Sequence, residues 1–224
     1  MKEKNYKYLT LITVFFVTVL LVSNIVSTKI TNIGPFTFDA GTILFPLSYI
    51  FGDILTEVYG YKQSRKIIRM GFGAALLMSA IIIIVGLLPS AADRPYQESY
   101  QNILGLTPRI VLASLIAYFA GEFSNSYILA KIKIWMKGKR LWIRTIGSTI
   151  VGELFDTSIF IFIAFFGVFD INLLRIIFVS NYIFKVGVEI VFTPLTYIIT
   201  HKLKKSEGED YYDYKTNFNP FKIH

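Results

Sequence analysis

Residues 8–28 read YLTLITVFFVTVLLVSNIVST and contain no charged side chain. Residues 70–92, MGFGAALLMSAIIIIVGLLPSAA, contain none either. The hydrocarbon core of a bilayer is about 30 Å thick, and an α-helix needs about 20 apolar residues to cross it. Both stretches are therefore predicted to be transmembrane helices.

Four further stretches are apolar but interrupted by polar residues: 40–59, 110–130, 142–168 and 176–200. Of the 224 residues, 54% are hydrophobic and 17% charged, whereas soluble domains average about 45–50% and about 25%. The sequence predicts an all-α, polytopic membrane protein with six transmembrane helices. We expect residues 1–204 to form one transmembrane domain and residues 205–224 a peripheral cytoplasmic tail, with a short helix within residues 89–108.

The basic residues are distributed unevenly between the loops. Eighteen of the 23 Lys and Arg residues lie in the N-terminus, in the loops after the second and fourth spans, and in the tail, against four in the other loops. Because cytoplasmic loops are enriched in Lys and Arg, both termini are predicted to be cytoplasmic. The net charge of +8 is thus explained by the orientation of the chain in a membrane, with no nucleic-acid partner.

Composition also excludes several kinds of chemistry. The chain has no Cys and only two His, both near the C-terminus, so disulfides, thiol catalysis and thiolate metal sites are ruled out. We expect no metal, no cofactor and no catalytic residue. The predicted partners are the lipid bilayer and a small-molecule substrate.

Polar residues inside the spans recur at an offset of about 100 residues. Ser23-Asn24 in the first span matches Ser124-Asn125 in the fourth, and the acidic segment 52–57 in the second matches 152–157 in the fifth. Two matches at nearly one offset suggest a duplicated three-helix unit. Since three is odd, the halves would have opposite orientations, the 3+3 inverted repeat of many secondary transporters. Chance similarity between short motifs remains the alternative.

Seven ionisable residues fall within the predicted spans: Asp53, Glu57, Glu122, Glu153, Asp156, Lys185 and Glu189. Each costs about 2.5–3.5 kcal/mol at the centre of a membrane helix. They should therefore face the protein interior or a wet cavity, where a functional role is the default hypothesis. Asn24 and Asn125 add amides, and Phe155 and Phe184 are candidate stacking residues because each flanks a polar position.

Three structural alternatives remain open. Glu57 could be an interfacial acid beside Lys62 and Arg65, Lys185 and Glu189 could form a purely structural ion pair within one helix, and Asn24 could only join helices. If the acids do form a site, it suits a neutral or cationic ligand rich in hydrogen-bond donors. A planar heterocycle fits, because carboxylates accept from ring N–H and amino groups.

The polar motifs together resemble the queuosine precursor transporter family. The resemblance is carried by Ser23-Asn24 with Lys29, by Phe45-Pro46 with Asp53-Ile54-Leu55-Thr56-Glu57-Val58-Tyr59-Gly60, by Gly121-Glu122-Phe123-Ser124-Asn125-Ser126, by Gly152-Glu153-Leu154-Phe155-Asp156-Thr157 and by Phe184-Lys185-Val186. It covers residues 9–200, nearly the whole predicted membrane region.

This resemblance implies uptake of 7-deazaguanine precursors of queuosine, such as 7-cyano-7-deazaguanine or 7-aminomethyl-7-deazaguanine. It also implies a six-helix fold related to the substrate-binding subunits of energy-coupling-factor importers. The residues that it assigns to the cavity lining are Asn24, Asp53, Glu122, Asn125, Glu153, Asp156 and Lys185.

Three functions compete at this point. The first is secondary transport of queuosine precursors, with proton coupling suggested by the excess of acids. The alternative is a substrate-binding subunit of an ATP-driven energy-coupling-factor type importer, and the absence of a nucleotide-binding loop from the sequence fits both functions. An intramembrane enzyme is disfavoured, because no His or Cys cluster accompanies the acids. A homodimer is a further expectation, with the small residues of the third span as a candidate helix–helix interface.

Overall fold

The computed structural model describes residues 6–26, 29–33, 36–91, 96–104, 108–167, 170–214 and 216–219. The described chain contains seven helices and one β-hairpin. The helices are α1 (Leu9–Val26), α2 (Phe45–Tyr59), α3 (Tyr61–Gly86), α4 (Gln97–Leu104), α5 (Pro108–Trp135), α6 (Leu141–Phe165) and α7 (Ile171–Glu207). The strands are β1 (Ile30–Ile33) and β2 (Phe36–Asp39), followed by a 3₁₀ turn at Ala40–Ile43.

The predicted helical membrane class is confirmed. Five helical segments in the described residues are long and apolar enough to cross a membrane: Leu9–Val26, Ala40–Tyr59, Tyr61–Gly86, Leu141–Ala164 and Leu174–Glu207. The α5 helix matches the expected fourth span in position but is not one of these five, since Glu122 and Asn125 interrupt its apolar run. The short helix expected within residues 89–108 is present as α4.

The antiparallel hairpin was not predicted, because its strands are only four residues each. It pairs Ile30 with Asp39 and Ile33 with Phe36. The hairpin fills the connection between the first two spans. Three of the predicted spans extend further than the observed helices, by residues 27–28, 87–92 and 166–168. Of these, residues 27–28, 92 and 168 lie outside the described part of the chain.

Local sequence explains where α2 begins and ends. Pro46 lies in its first turn, where the missing N–H costs nothing and the fixed φ favours a helix. Gly60 has a φ of +84°, a left-handed conformation that suits glycine, and α3 begins at the next residue. The third helical segment therefore starts at Tyr61, nine residues before the predicted Met70, and the basic residues expected in a loop lie on its first turns.

The α2 helix lies at the centre of the bundle. In the apolar segment Ala40–Tyr59, which includes α2, 72% of the membrane-crossing stretch is buried inside the protein. The corresponding value is 22% for α1 and 22% for α3. It packs against α1, α3, α5 and α7, and its Ile54 and Leu55 join Phe16 and Ile68 in the main apolar core. Outward-facing apolar side chains such as Ile84 remain exposed, as expected of helices solvated by lipid.

Residues after α7 fold back onto the bundle. The backbone N–H of Tyr211 donates to the Val58 carbonyl at 3.3 Å, and the N–H of Tyr61 donates to Asp213 Oδ2 at 3.0 Å. Arg65 Nη1 donates to the carbonyl of Asn217 at 2.8 Å. The peripheral cytoplasmic tail stays a prediction, but its described residues are not detached from the bundle, because they pair with donors and acceptors at the α2–α3 turn and on the first turns of α3.

Candidate functional site

Buried polar side chains from four helices, α2, α5, α6 and α7, meet in the interior of the bundle. All of them are less than one-tenth exposed. They are Asp53 on α2, Glu122 and Asn125 on α5, Glu153 and Asp156 on α6, and Lys185 and Glu189 on α7. The sequence analysis predicted every member of this set, which we call the acid cluster.

Two glycines allow α5 and α6 to approach closely enough to form this cluster. A Cβ atom on Gly121 would lie 2.7 Å from Asp156 Cβ, and a Cβ atom on Gly152 would lie 2.8 Å from Asn125 Cβ. Real Cβ atoms do not tolerate such distances, so the crossing requires glycine at both positions. The residue after each glycine is an acid, Glu122 and Glu153, and the crossing thus brings two carboxyl groups into the same interior.

The α2 helix contributes Asp53 and a space for Glu122. Asn125 Nδ2 donates to Asp53 Oδ1 at 2.7 Å, which joins α5 to α2. A Cβ atom on Gly52 would overlap Glu122 Oε1 and lie 2.8 Å from Cδ of the same side chain. The carboxyl group of Glu122 therefore occupies the space that the missing side chain of Gly52 leaves.

Lys185 is the cation of the acid cluster. Its Nζ lies 2.5 Å from Asp156 Oδ2 and 3.0 Å from Glu153 Oε2, and it lies 5.7 Å from the centre of the Phe45 ring. The alternative of an ion pair between Lys185 and Glu189 was wrong. Asp156 and Glu153 on α6 approach the ammonium group instead, and both Glu189 oxygens lack a hydrogen-bond partner among the described residues.

Unpaired acceptors outnumber cations in the acid cluster. Neither oxygen of Glu122 or Glu189 accepts a hydrogen bond within the described chain, and Asp53 Oδ2 and Asn125 Oδ1 are likewise without partners there. The Ser126 hydroxyl lies near Glu122 but not in hydrogen-bonding geometry. Five carboxyl groups thus face one ammonium group in a buried region. Such a surplus requires protons, a cation or a donor-rich ligand, since unpaired buried charge is costly.

Tyr49 and Tyr118 also border the acid cluster, and the sequence analysis missed both. Each side chain is 1% exposed, and the two rings meet edge to face with centroids 6.4 Å apart. Tyr49 lies close enough to Glu122, Glu153 and Asp156 to interact with them electrostatically. Tyr49 lies four residues before Asp53, and Tyr118 lies four residues before Glu122. Each tyrosine is therefore one helical turn from an acid and on the same face of its helix, which is a signal that could have identified both.

Glu57 belongs to a different cluster, at the end of the bundle nearest the tail. Its Oε2 lies 2.6 Å from Arg144 Nη1, its Oε1 lies 3.5 Å from Lys133 Nζ, and Lys204 also pairs with it. Lys133 and Lys204 in turn contact Asp210 at 2.7 and 2.8 Å. The acid is therefore structural, as one alternative allowed, but its partners come from α5, α6 and α7 rather than from Lys62 and Arg65.

Three other candidate residues are less buried than the members of the acid cluster. The side-chain amide of Asn24 donates to the Leu20 carbonyl of its own helix at 2.8 Å. Phe155 is 47% exposed, whereas Glu153 and Asp156 on either side of it in sequence are buried. Phe184 is half-buried on α7. Besides Tyr49 and Tyr118, the ring of Phe45, in the first turn of α2, approaches Lys185 of the acid cluster.

The comparisons with known proteins identify the family. Residues 39–199 match the family described as "Putative vitamin uptake transporter". The chain belongs to this family. It is a transporter family, so the chain is not an enzyme, and the apolar helices make it a multi-pass protein of the bacterial inner membrane.

Two relatives of this chain are similar to it over most of its length. A "Probable queuosine precursor transporter" from Bacillus subtilis (strain 168) is 29% identical over 186 residues, which is 83% of this chain and 81% of the relative. The "Queuosine precursor transporter" of Escherichia coli (strain K12) is 27% identical over 214 residues, 91% of each chain. These names agree with the family resemblance seen in the sequence. No solved structure matches the chain significantly.

Proposed function

We propose that the chain imports queuosine precursors, 7-cyano-7-deazaguanine or 7-aminomethyl-7-deazaguanine, into the cytoplasm. The observation that carries the proposal is the acid cluster, in which five carboxyl groups and one lysine are buried between α2, α5, α6 and α7, and only two of the acids contact the lysine. A deazaguanine presents ring N–H and amino donors that carboxylates accept. The names of the relatives from Bacillus subtilis and Escherichia coli support the same substrate class.

The proposed topology has six spans, a 3+3 inverted repeat and both termini in the cytoplasm. The α5 helix, fourth in chain order among the spans, brings their number from five to six. It is long enough to cross the bilayer, because its 28 residues extend about 42 Å at 1.5 Å per residue. The uneven distribution of Lys and Arg supports the orientation. With that orientation, the Glu57 cluster and the folded tail lie at the cytoplasmic end.

Proton coupling follows from the surplus of acids. Some of the carboxyl groups accept hydrogen bonds from the donor-rich ligand, and the remaining acids take up protons on the outer side and release them in the cytoplasm together with the ligand. Uptake into vesicles should therefore respond to an imposed pH gradient and fall when the gradient is collapsed. Equal rates under both conditions would leave facilitated diffusion as the transport mode.

The decisive experiment is rescue of queuosine in tRNA. A bacterium that cannot make the precursor and lacks its own transporter expresses this chain at low external precursor. We expect queuosine to appear with the wild type and to be strongly reduced with Asp156→Asn or Glu153→Gln. Glu98→Gln, at an exposed acid on α4, is the matched control and should behave like the wild type. No queuosine with a correctly inserted wild-type chain would refute the proposal.

Purified chain in vesicles separates this function from that of an ATP-driven binding subunit. Uptake of 7-cyano-7-deazaguanine by vesicles that contain this chain alone is the expected result. Binding without uptake, with uptake restored only by an added ATPase module, would support the binding-subunit alternative instead.

A further inference from the structure

Tyr49 occupies the junction of α2, α5 and α6. Its hydroxyl oxygen and Asp156 Cβ both crowd the point where a Cβ atom on Gly121 would lie. Its ring atom Cε1 lies 3.2 Å from the corresponding point on Gly152. The side chain is 1% exposed. Tyr49 therefore reaches the helix crossing that brings Glu122 and Glu153 together, with its polar end toward the acids.

The hydroxyl of Tyr49 is buried and has no hydrogen-bond partner among the described residues. A buried hydroxyl without a partner is costly and uncommon, and here it adjoins a site that already lacks partners for several acceptors. The other strong donors of the acid cluster are engaged: Lys185 contacts Asp156 and Glu153, and Asn125 Nδ2 donates to Asp53.

Other hydroxyl groups nearby have alternatives. Those of Tyr118, Thr149 and Thr157 also lack a partner in the described structure. The Tyr118 hydroxyl lies near Ser48, and a threonine on a helix reaches the carbonyl one turn back by rotating its side chain. Tyr49 has neither alternative in view, since its hydroxyl is directed across the interface at Gly121.

We propose that Tyr49 is a specificity-determining residue whose hydroxyl donates a hydrogen bond to a carbonyl oxygen of the ligand. The carboxylates of the acid cluster accept from the N–H groups of that ligand. A lactam edge, in which a carbonyl stands beside a ring N–H, is complementary to this pairing of one donor with several acceptors. The site then selects guanine-type heterocycles over those in which an amino group replaces the carbonyl. This inference rests on the proposed function and adds to it the basis of selectivity.

Two probes test it on the purified full-length chain. One is 7-cyano-7-deazaguanine, and the other is its counterpart with an amino group in place of the carbonyl at position 6. We expect the wild type to bind the carbonyl probe at least tenfold more tightly, because a mismatched group leaves the buried donor unpaired. Tyr49→Phe, which keeps the ring, should weaken binding of the carbonyl probe about tenfold and reduce the discrimination. Tyr61→Phe is the control, since the hydroxyl of Tyr61 already has a partner, the Phe218 carbonyl in the tail.

The possible outcomes separate the two proposals. If the wild type binds the carbonyl probe without discriminating between the two, Tyr49 does not select the ligand, whether or not the variant folds. Unchanged affinity and discrimination in a folded Tyr49→Phe variant would also overturn the inference. If the wild type binds neither probe, the proposed function itself fails and this inference fails with it.

Discussion

The backbone carbonyl oxygen of Gly121 lies 3.0 Å from the point that a Cβ atom on Gly152 would occupy. The carbonyl oxygen of Gly152 lies equally close, 3.0 Å, to the corresponding point on Gly121. The two helix backbones are therefore in direct contact, in the manner of membrane helices that pack through small residues. Because an acid follows each glycine, this one contact determines where Glu122 and Glu153 meet. The site depends on the glycines as much as on the carboxyl groups.

Gly121→Ala should destabilise the fold. The added methyl group would clash with Tyr49, with Asp156 Cβ and with the Gly152 backbone, and overpacking of this kind costs about 1–3 kcal/mol. Thermal unfolding in detergent measures the loss. Gly147→Ala on α6 is the control, because its nearest neighbour is an Ile132 side-chain atom at 3.6 Å, and it should be neutral or slightly stabilising. Equal stability of the two variants would contradict the close crossing.

Gly52→Ala should impair binding more than folding. The new methyl group would displace only the flexible end of Glu122, so the helix packing survives while the carboxyl group moves. We expect affinity for 7-cyano-7-deazaguanine to fall about tenfold, the effect of one charged hydrogen bond. Gly73→Ala, with no atom within 4 Å of the new Cβ, should leave affinity unchanged. Wild-type affinity in Gly52→Ala would exclude Glu122 from the binding site.

Lys185→Met should destabilise the chain, because Glu153 and Asp156 would lose their shared cation. Removing one partner of a buried ion pair costs about 3–5 kcal/mol. Combining it with Asp156→Asn and Glu153→Gln should restore much of the thermal stability but not binding. A triple variant as unstable as Lys185→Met would show that packing of the lysine stem, rather than charge, is what matters.

Glu57→Gln should also reduce stability, but for a reason unrelated to the ligand. Three cations, Lys133, Arg144 and Lys204, would lose a buried carboxylate, at a cost of about 3 kcal/mol. We expect a lower thermal unfolding midpoint with nearly unchanged ligand affinity in the folded fraction. Glu98→Gln, at an exposed position, provides the baseline. A large loss of affinity without loss of stability would place Glu57 in the binding site after all.

The contact between the tail and the bundle should weaken in acid. Burial alone would raise the pKa of Asp210, but hydrogen bonds and charges from Lys133 and Lys204 outweigh it and lower the pKa below its ordinary value. A lowered pKa in the folded state stabilises the contact above the ordinary Asp pKa of about 3.9, and this stabilisation is lost as the pH falls through the lowered pKa. The tail should therefore loosen only below about pH 4.

A single cysteine reports on this loosening, since the chain has none. A spin label at Tyr214→Cys, an exposed tail position, should become more mobile in that acid range. With Asp210→Asn added, the label should be more mobile at neutral pH and change less on acidification. Identical profiles for the two proteins would show that Asp210 does not anchor the tail.

The sequence by itself determined the membrane class, the positions of the long helices and a set of interior ionisable residues that contains those of the acid cluster together with Glu57. This was possible because the cost of placing charge in a membrane depends on local composition: an acid within an apolar run must face the interior, whatever the fold. Asp53, Glu122, Glu153, Asp156, Lys185 and Glu189 were found in this way.

Only the tertiary structure decided which of these residues contact one another. Spacing along a helix favoured Lys185 with Glu189, yet the ammonium group pairs with acids on α6. Likewise Glu57 pairs with cations that are distant in sequence and belongs to a different cluster. Tyr49 borders the acid cluster because Gly121 and Gly152 leave space for its side chain, and a glycine in a sequence does not show which side chain packs against it. Ion pairing and close packing depend on which helices cross and where, and a periodic pattern within one helix does not contain that information.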